Sequence, residues 1–283
     1  FSVQVKLASS YLRQRNYAAA AELAGQAVKG KPDSGVAHLL LAQASIGTGD
    51  VKQAETELTL VSRANPESAQ VLATYGSLHL LKSDYVLARR AFEKALAKEP
   101  NMFDVHRALI QIDIAEKKPD AALARVTALV DKSPDDLDYL LLAGNTYGAV
   151  GKLSQAEKFF RQALARDASN LEAYRQLGNI YMAQKRLDDA LREFGELAEK
   201  QPPAAVAAHT MLGTVLDMQQ KTGEARKEYL KALELDPRAA VAANNLAWSY
   251  ASAETNLEQA IQLAQTAKAG LPDNPDVSDT LGW

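Results

Sequence analysis

Four primary amides recur along the sequence at intervals that are multiples of 34 residues, and amides are well suited to holding a peptide backbone. They are Gln43, Gln111, Asn145 and Asn179. A primary amide offers both a hydrogen-bond donor and an acceptor, so it pairs with the N–H and the C=O of one extended peptide unit. A row of such amides, one per repeating unit, grips a backbone without demanding particular side chains. The spacing therefore points to a peptide-binding surface if the fold brings these residues into line.

Catalytic and metal-binding chemistry has little support in the sequence. The absence of cysteine excludes thiolate catalysis, disulfides and thiolate metal sites. No phosphate-binding loop, dinucleotide fingerprint or Gly-x-Ser-x-Gly elbow is present. The histidines His38, His79, His106 and His209 fall in different repeating units, roughly 8–10 Å or more apart, whereas the ligands of one metal ion converge at about 2 Å. We predict packing histidines, no metal or other cofactor, and no enzymatic activity.

Asp113 is an unusual acid because it occupies a position where other repeats carry tyrosine, namely Tyr11, Tyr147, Tyr181 and Tyr250. In the same repeat, Ile110 replaces a residue that is small in the other seven repeats. A buried functional acid is one interpretation of Asp113. We favour a local irregularity in which its carboxylate is hydrogen-bonded or tilted toward solvent.

The elements that position these residues follow from the 34-residue period. Apolar residues at repeat positions 4, 7, 8 and 11 form the inward stripe of a first helix, and those at positions 20, 24 and 27 form the stripe of a second. A proline near position 32 ends the second helix. One helix pair cannot bury its apolar face alone, so neighbouring pairs must stack. Position 20 is alanine in every repeat: Ala20, Ala54, Ala88, Ala122, Ala156, Ala190, Ala225 and Ala260.

The period predicts eight repeats over residues 1–274, with boundaries at 1–34, 35–68, 69–102, 103–136, 137–170, 171–205, 206–239 and 240–274. Residues 275–283 are predicted to be the truncated first helix of a ninth repeat, since Leu281 and Gly282 fall on positions 7 and 8. We expect residues after about Pro272 to fray or to be buried against another molecule, so this end is a candidate for self-association. Because the chain begins at Phe1, we expect a processed or excised form.

The repeat resembles the tetratricopeptide repeat (TPR) family over the whole chain. The best single example is the run Leu177 to Tyr181 (LGNIY), followed by Ala190, Phe194 and Pro202. This resemblance implies an α-solenoid that forms a right-handed superhelix, with the first helices lining its concave face and the second helices its convex face. The segments 244–250 and 279–283 also resemble long bacterial TPR proteins, some of which are linked to exopolysaccharide and exosortase systems.

The same resemblance places positions 2, 5, 6, 9, 12 and 13 of each first helix in the concave groove. The amide ladder would then comprise Gln111, Asn145, Asn179 and either Asn244 or Asn245, with two arginines adding contacts to carboxylates. An alternative is that position 9 is polar only because it is exposed. Apolar groove residues such as Met182, Met211 and Met218 favour a protein partner, or self-association, over a sugar. The candidate peptide-binding residues are Arg107, Gln111, Asn145, Arg175, Asn179, Thr214, Asn244, Asn245 and Trp248.

Composition narrows the function further. The formal net charge is −3 and the signs are interspersed, which predicts no nucleic-acid partner. No apolar run approaches the roughly 20 residues of a membrane span, so we predict no direct membrane insertion by this fragment.

We predict a non-enzymatic protein-interaction scaffold that binds a polypeptide in the concave groove. The alternatives are a structural module of a bacterial cell-envelope or exopolysaccharide export assembly, and the recognition arm of an enzyme whose catalytic domain lies elsewhere. The compartment stays open, with the bacterial periplasm or cell envelope favoured over the cytoplasm.

Overall fold

The computed structural model describes residues 1–168, 170–271, 277 and 279–280. The chain divides into two compact units, Phe1–Val126 and Thr127–Trp283. Helices connected by short turns make up both units, and no strand occurs in the described ranges. The predicted all-α architecture of stacked helix pairs is therefore confirmed. Most of the predicted ninth helix, and the expected fraying after Pro272, lie outside the described residues.

The helices alternate between the first and second members of each repeat. The helices before the division between the units are α1 (Ser2–Arg13), α2 (Tyr17–Gly30), α3 (Gly35–Thr48), α4 (Val51–Ala64), α5 (Ala69–Leu81), α6 (Tyr85–Lys98) and α7 (Phe103–Ala115). The division falls within α8 (Pro119–Lys132). Those after it are α9 (Leu137–Ala149), α10 (Leu153–Arg166), α11 (Leu171–Ala183), α12 (Leu187–Lys200), α13 (Ala205–Met218), α14 (Thr222–Leu235), α15 (Ala240–Ser252) and α16 (Leu257–Gly270), with one 3₁₀ turn at Pro202–Ala204 before α13.

The turn between the two helices of a repeat has the same backbone conformation throughout the chain. The residue at position 15 has a positive φ in every repeat, for example +57° at Lys185 and +78° at Gly151. The next N–H donates to the carbonyl of position 11, as Arg186 N does to Tyr181 O at 2.8 Å. This six-to-one hydrogen bond and left-handed residue form a Schellman motif, which ends the first helix and reverses the chain.

Within a repeat, a glycine of the first helix receives an aromatic ring from the second. A Cβ added at Gly178 would lie 2.6 Å from the Phe194 ring, and one at Gly213 would lie 2.4 Å from the Tyr229 ring. Gly76 with Phe92 and Gly144 with Phe160 repeat this contact. All four rings are at most 1% exposed. The large apolar area that each ring buries makes this contact the centre of its repeat.

Neighbouring first helices lie side by side within each unit. In the first unit α3 contacts α1 and α5, and in the second α13 contacts α11 and α15. The second helices pack behind them, so that each unit presents one surface built only from first helices. We call this surface the first-helix face, and it carries the candidate residues.

Candidate functional site

Three amides of the ladder hypothesis lie exposed on the first-helix faces. Gln111 lies on α7 in the first unit, and Asn145 and Asn179 lie on α9 and α11 in the second. None of these three side chains forms a hydrogen bond to any part of the chain that the structure describes. The amides are therefore available to a ligand, and only Asn145 and Asn179 belong to the same unit.

The two candidate arginines are held by carboxylates of their own helices. Arg175 contacts Glu172 through both Nε and a terminal nitrogen, at 3.0 and 2.8 Å. Arg107 reaches Asp104 at 2.7 Å and lies 5.9 Å from the centroid of the Phe103 ring. A ligand carboxylate at either arginine must therefore compete with an existing ion pair. This competition reduces the binding free energy that the carboxylate can contribute.

Thr214 and Asn245 form a hydrogen bond between neighbouring first helices. Asn245 donates its Nδ2 to Thr214 Oγ1 and to the Tyr229 hydroxyl, both at 3.4 Å. The equivalent pair in the first unit is Gln43 Nε2 donating to Thr74 Oγ1 at 3.3 Å. Both contacts join position 9 of one repeat to position 6 of the next. Asn245 therefore uses its amide to fix the register of α13 and α15.

Asn244 and Trp248 lie four residues apart on α15, where Asn244 is partly buried and Trp248 is exposed. The Oδ1 atom of Asn244 is buried and has no hydrogen-bond partner among the described residues. Trp248 is 46% exposed, and Val241, two turns before it, is 51% exposed. A buried acceptor without a hydrogen-bond partner costs about 1–3 kcal/mol of folding free energy.

Two of the four histidines pair with a glutamate on the second helix of their own repeat. His38 donates Nε2–H to the Pro32 carbonyl at 2.7 Å, and its Nδ1 contacts the buried Glu57 carboxylate. Burial lowers the pKa of His38, whereas its hydrogen bonds to Glu57 and Pro32 raise it. The raising effects together outweigh burial, so the net pKa lies above the usual value of 6.5. His209 pairs in the same way with Glu228 at 2.7 Å.

Asp113 is buried and neutralised by two arginines of neighbouring second helices. One Asp113 oxygen lies 2.7 Å from Arg89 and the other lies 3.4 Å from Arg125. Arg89 also contacts Glu116 at 2.7 Å. The expectation of a paired carboxylate is confirmed, whereas a tilt toward solvent is wrong because Asp113 is only 1% exposed. This cluster joins α6 and α8 to α7.

A second charged cluster, which the sequence reasoning missed, surrounds Tyr181 at the junction of α10, α11 and α12. The Tyr181 hydroxyl accepts a hydrogen bond from Arg161 at 2.7 Å, and Arg186 contacts Glu157 at 2.6 Å. Burial is the main reason that the pKa of Tyr181 is raised, with the Glu193 carboxylate adding to it. Every charge in this cluster has a neighbour of opposite charge. The cluster therefore links the helices of adjacent repeats, as the cluster around Asp113 does.

Two kinds of feature were looked for among the described residues. They contain no group of three or more histidine or acidic side chains that is placed to hold a metal ion. No described helix is both long and apolar enough to cross a membrane.

Comparison with known proteins points to one repeat family. Models of the tetratricopeptide repeat match residues 11–78, 79–145, 149–212 and 210–275. Among solved structures, the human IFIT1 dimer with PPP-AAAA is similar, with a TM-score of 0.57, 16% identity and coverage of 99% of this chain and 71% of that one. At that identity the likeness shows the fold alone.

Two curated bacterial proteins are similar in sequence. Cellulose synthase 1 operon protein C of Komagataeibacter xylinus is 25% identical over 157 residues, which are 51% of this chain and 12% of that protein. Cellulose synthase operon protein C of Xanthomonas axonopodis pv. citri (strain 306) is 29% identical over 161 residues, which are 54% of this chain and 11% of that protein. The matched part spans little more than a tenth of either relative. Both names refer to the synthesis of a polysaccharide, which agrees with the predicted resemblance to bacterial repeat proteins of exopolysaccharide systems.

Proposed function

Because this chain belongs to the tetratricopeptide repeat family, we propose that it is a non-enzymatic scaffold that binds an extended polypeptide along its first-helix faces. The family and the fold support a protein-interaction scaffold in general. The finer proposal is that exposed amides on successive first helices bind the ligand backbone. Arg107 and Arg175 then act at the edges of the site, because their own helices already neutralise them.

One observation carries this proposal. Asn145 and Asn179 occupy the same position in adjacent repeats, and both are exposed without an internal hydrogen bond among the described residues. Other amides on these faces, such as Gln43 and Asn245, are used to join helices. The first-helix faces therefore carry amides that join helices and other amides that have no internal partner and can bind a ligand.

Replacing the free amides tests the proposal. The triple variant Gln111→Ala, Asn145→Ala and Asn179→Ala is compared with wild type for binding to an array of random peptides. Each lost hydrogen bond is worth about 0.5–1.5 kcal/mol, so we expect binding to weaken by about tenfold or more. The fold should persist, as circular dichroism checks, because the three side chains make no internal hydrogen bond.

A matched control removes three exposed amides from second helices instead, namely Gln155→Ala, Gln162→Ala and Gln262→Ala. These changes should leave the array signal unchanged. Equal losses in both triple variants, or no loss in either, would contradict the proposed location of the site.

A second candidate function is a structural role in a bacterial cell-envelope or exopolysaccharide export assembly. The similarity to cellulose synthase operon proteins of two bacteria favours it. Deleting the codons for these repeats in the native bacterium tests this role. We expect the amount of secreted polysaccharide to fall, as a carbohydrate assay of the medium measures, while unchanged secretion would remove the candidate.

A further inference from the structure

We propose that His38 is a proton-operated latch between α2 and α3. While its imidazole carries a proton on both ring nitrogens, it holds the turn of residues 31–34, which joins α2 to α3. When the imidazole loses one proton, it releases that turn, and the end of α2 separates from the start of α3. The first unit therefore contains a conformational switch that is set by pH, and this inference does not depend on the proposed function.

The partners of the His38 ring are both hydrogen-bond acceptors. Nε2 lies 2.7 Å from the Pro32 carbonyl oxygen, and Nδ1 contacts one carboxylate oxygen of Glu57. The other Glu57 oxygen accepts a hydrogen bond from Gln53 Nε2. A neutral imidazole has one N–H, whereas an imidazolium has two. Both ring contacts are therefore satisfied together only while the proton of the imidazolium form is held between His38 and Glu57.

Loss of that proton breaks the contact to the turn rather than the contact to Glu57. His38 is 7% exposed and Glu57 is 5% exposed. A buried carboxylate is costly without donors, and the other donor to Glu57 is the neutral amide of Gln53. The remaining N–H therefore stays on Nδ1, facing Glu57. Nε2 then presents a lone pair to the Pro32 carbonyl oxygen, and the two atoms repel each other.

The charges around His38 favour its protonated form. Burial lowers its pKa, whereas Glu57, the Pro32 carbonyl and the Asp33 carboxylate raise it, with a net rise. The nearby cation Lys31 lies instead over the Phe1 ring, 5.6 Å from its centroid.

The helices packed on α3 bring no further charge to the latch. Helices α3 and α5 contain no aspartate, glutamate, lysine or arginine, and the titratable side chains of α5 are Tyr75 and His79. In the part of the chain that the structure describes, no ion pair or hydrogen bond joins His38 to a residue of α1, α2 or α5. The other charged side chains of α1, α2 and α4 are exposed, namely Lys6, Arg13, Glu22, Lys29, Lys52, Glu55 and Arg63.

Two histidines at the same repeat position lack part of this arrangement. The Nε2 atom of His106 contacts the carbonyl six residues earlier at 2.8 Å, but its buried Nδ1 has no partner among the described residues, so one N–H is sufficient there. His209 contacts Glu228 at 2.7 Å, but Glu228 is also paired with Lys231 at 2.7 Å. Glu228 therefore keeps a cation when His209 is neutral. These differences assign the latch to His38 and not to the other two.

Packing determines which part of α2 moves. At the start of α2 the Tyr17 ring lies so close to Gly47 of α3 that an added Cβ would come within 2.2 Å of it. Toward the end of α2 the buried side chains are Ala24 and Ala27, which bury little apolar area. The end of α2 therefore depends more on the His38 contact than its start does.

Cysteine reactivity at two positions of α2 tests the latch. The chain has no cysteine, so Ala27→Cys and Ala20→Cys each place a single thiol at a site that is 0% exposed. The rate at which each thiol reacts with an aromatic disulfide reagent is measured on the complete chain. The ratio of the two rates removes the common effect of pH on thiol ionisation. From about pH 6 to about pH 9, we expect the ratio of the Ala27→Cys rate to the Ala20→Cys rate to rise about tenfold, the value of one good hydrogen bond.

Three substitutions, each made in both cysteine variants, assign the effect. His38→Gln should make the rate ratio independent of pH, because an amide does not titrate. Glu57→Gln should move the rise to lower pH, because His38 loses the carboxylate that stabilises its proton. His209→Gln is the matched control in the second unit and should keep the full rise. A constant ratio in the parent cysteine variants, or the same rise with His38→Gln, overturns the latch. Equal acceleration at both cysteines also overturns it, because the whole of α2 would then separate from α3.

Nitrogen NMR spectroscopy of wild type, isotopically labelled at its histidine rings, locates the protons without any substitution. We expect both ring nitrogens of His38 to be protonated at about pH 6 and only Nδ1 at about pH 9. A His38 ring that keeps its Nε2 proton at the higher pH would still hold the turn, and this result would overturn the proposal even if the variants did not fold.

Discussion

At the scale of single residues, the sizes of repeat positions 8 and 24 are reciprocal in six of the eight repeats, and the two exceptions pair alanine with alanine (Ala8 with Ala24 and Ala247 with Ala264). Glycine at position 8 faces Phe or Tyr at position 24 in four repeats. Where position 8 is larger, position 24 is smaller, as in Ala42 with Leu58 and Ile110 with Val126. All four of these side chains are buried. In these six repeats a smaller residue at one position is matched by a larger residue at the other, as close packing across the helix interface requires.

Gly178→Ala tests this reciprocity. The new methyl group would lie 2.6 Å from the Phe194 ring, and overpacking of this kind costs about 1–3 kcal/mol of unfolding free energy. Adding Phe194→Leu should recover part of the loss, so the double variant should be more stable than the sum of the two single changes indicates. Urea unfolding followed by circular dichroism measures all three variants.

The control for this experiment is Gly195→Ala on α12. Nothing lies within 4 Å of a Cβ at that position, and replacing a helical glycine by alanine gains about 0.5–1 kcal/mol. A loss of stability in Gly195→Ala, or an unchanged stability in Gly178→Ala, would contradict the packing account.

These pairs explain which residues the sequence analysis could interpret. The period predicted that position 8 is small, but Ile110 looked irregular because it was compared with the same position in other repeats. Its partner Val126 leaves room for it. Asp113 likewise depends on Arg89 and Arg125, which the helical periodicity of α7 alone does not reveal. The pairing of Asn245 with Thr214 was not predictable either. Neighbouring residues on a helix point in directions about 100° apart, so the sequence does not show whether Asn244 or Asn245 faces the adjacent helix.

His38 makes the stability of the first unit depend on pH. Its net pKa is raised above 6.5, with burial opposing the hydrogen bonds to Glu57 and Pro32 and the nearby Asp33 charge. A raised folded-state pKa means that the protonated form is stabilised by folding. The contribution is therefore fully present below pH 6.5 and is lost as the pH rises through the folded-state pKa.

We expect urea midpoints of the wild-type first unit to fall as the pH rises from about 6 to about 9, with a weaker fall in His38→Gln. His38→Gln should also lower the unfolding free energy at pH 6 by about 1–3 kcal/mol, the value of a hydrogen bond to a charged group. His106→Gln is the control, because the buried Nδ1 of His106 has no partner among the described residues. If wild type and His38→Gln show the same dependence of the urea midpoint on pH, His38 is not the origin of that dependence.

At the scale of elements, the turn between paired helices is uniform although its sequence is not. Position 15 has a positive φ in every repeat, yet only Gly49 and Gly151 are glycine there. The helices were predictable because apolar periodicity is strong over 13 or 14 residues. The left-handed turn residue was not predictable, since lysine, serine, arginine, glutamine and glutamate occupy that position as well. The hydrogen bonds of the Schellman motif, such as Lys118 N to Asp113 O at 2.8 Å, impose the conformation instead.

Lys185→Gly should therefore stabilise the second unit. A left-handed conformation costs a residue with a Cβ roughly 1–2 kcal/mol relative to glycine, partly offset by the extra freedom of glycine in the unfolded chain. We expect a net gain of about 0.5–1 kcal/mol in urea unfolding. Lys158→Gly, in the interior of α10, is the matched change and should cost about 1 kcal/mol. A loss in Lys185→Gly similar to that in Lys158→Gly would show that the turn is not strained.

At the scale of the whole molecule, the chain divides where the repeat is least regular. The 34-residue period continues along the whole sequence, so it predicted stacked helix pairs but no division of the chain into two units. The boundary between Val126 and Thr127 nevertheless falls in the repeat that carries Asp113 and Ile110 at its two exceptional positions. In a stacked array each repeat contacts only its neighbours, and stability is approximately a sum of local terms. A core substitution should therefore act mainly within its own unit.

Hydrogen exchange measured by mass spectrometry tests this locality with two matched variants. Leu109→Ala in the first unit and Leu177→Ala in the second each remove a side chain that is 0% exposed, at a cost of about 2–5 kcal/mol. Leu109→Ala should speed exchange in α5 to α7 and leave α13 to α16 protected, because no shared core links it to those helices. Leu177→Ala should do the converse, exposing α10 to α13 while α1 to α4 keep their protection. If either variant speeds exchange equally along the whole chain, the protein unfolds as one cooperative body and its units have no independent stability.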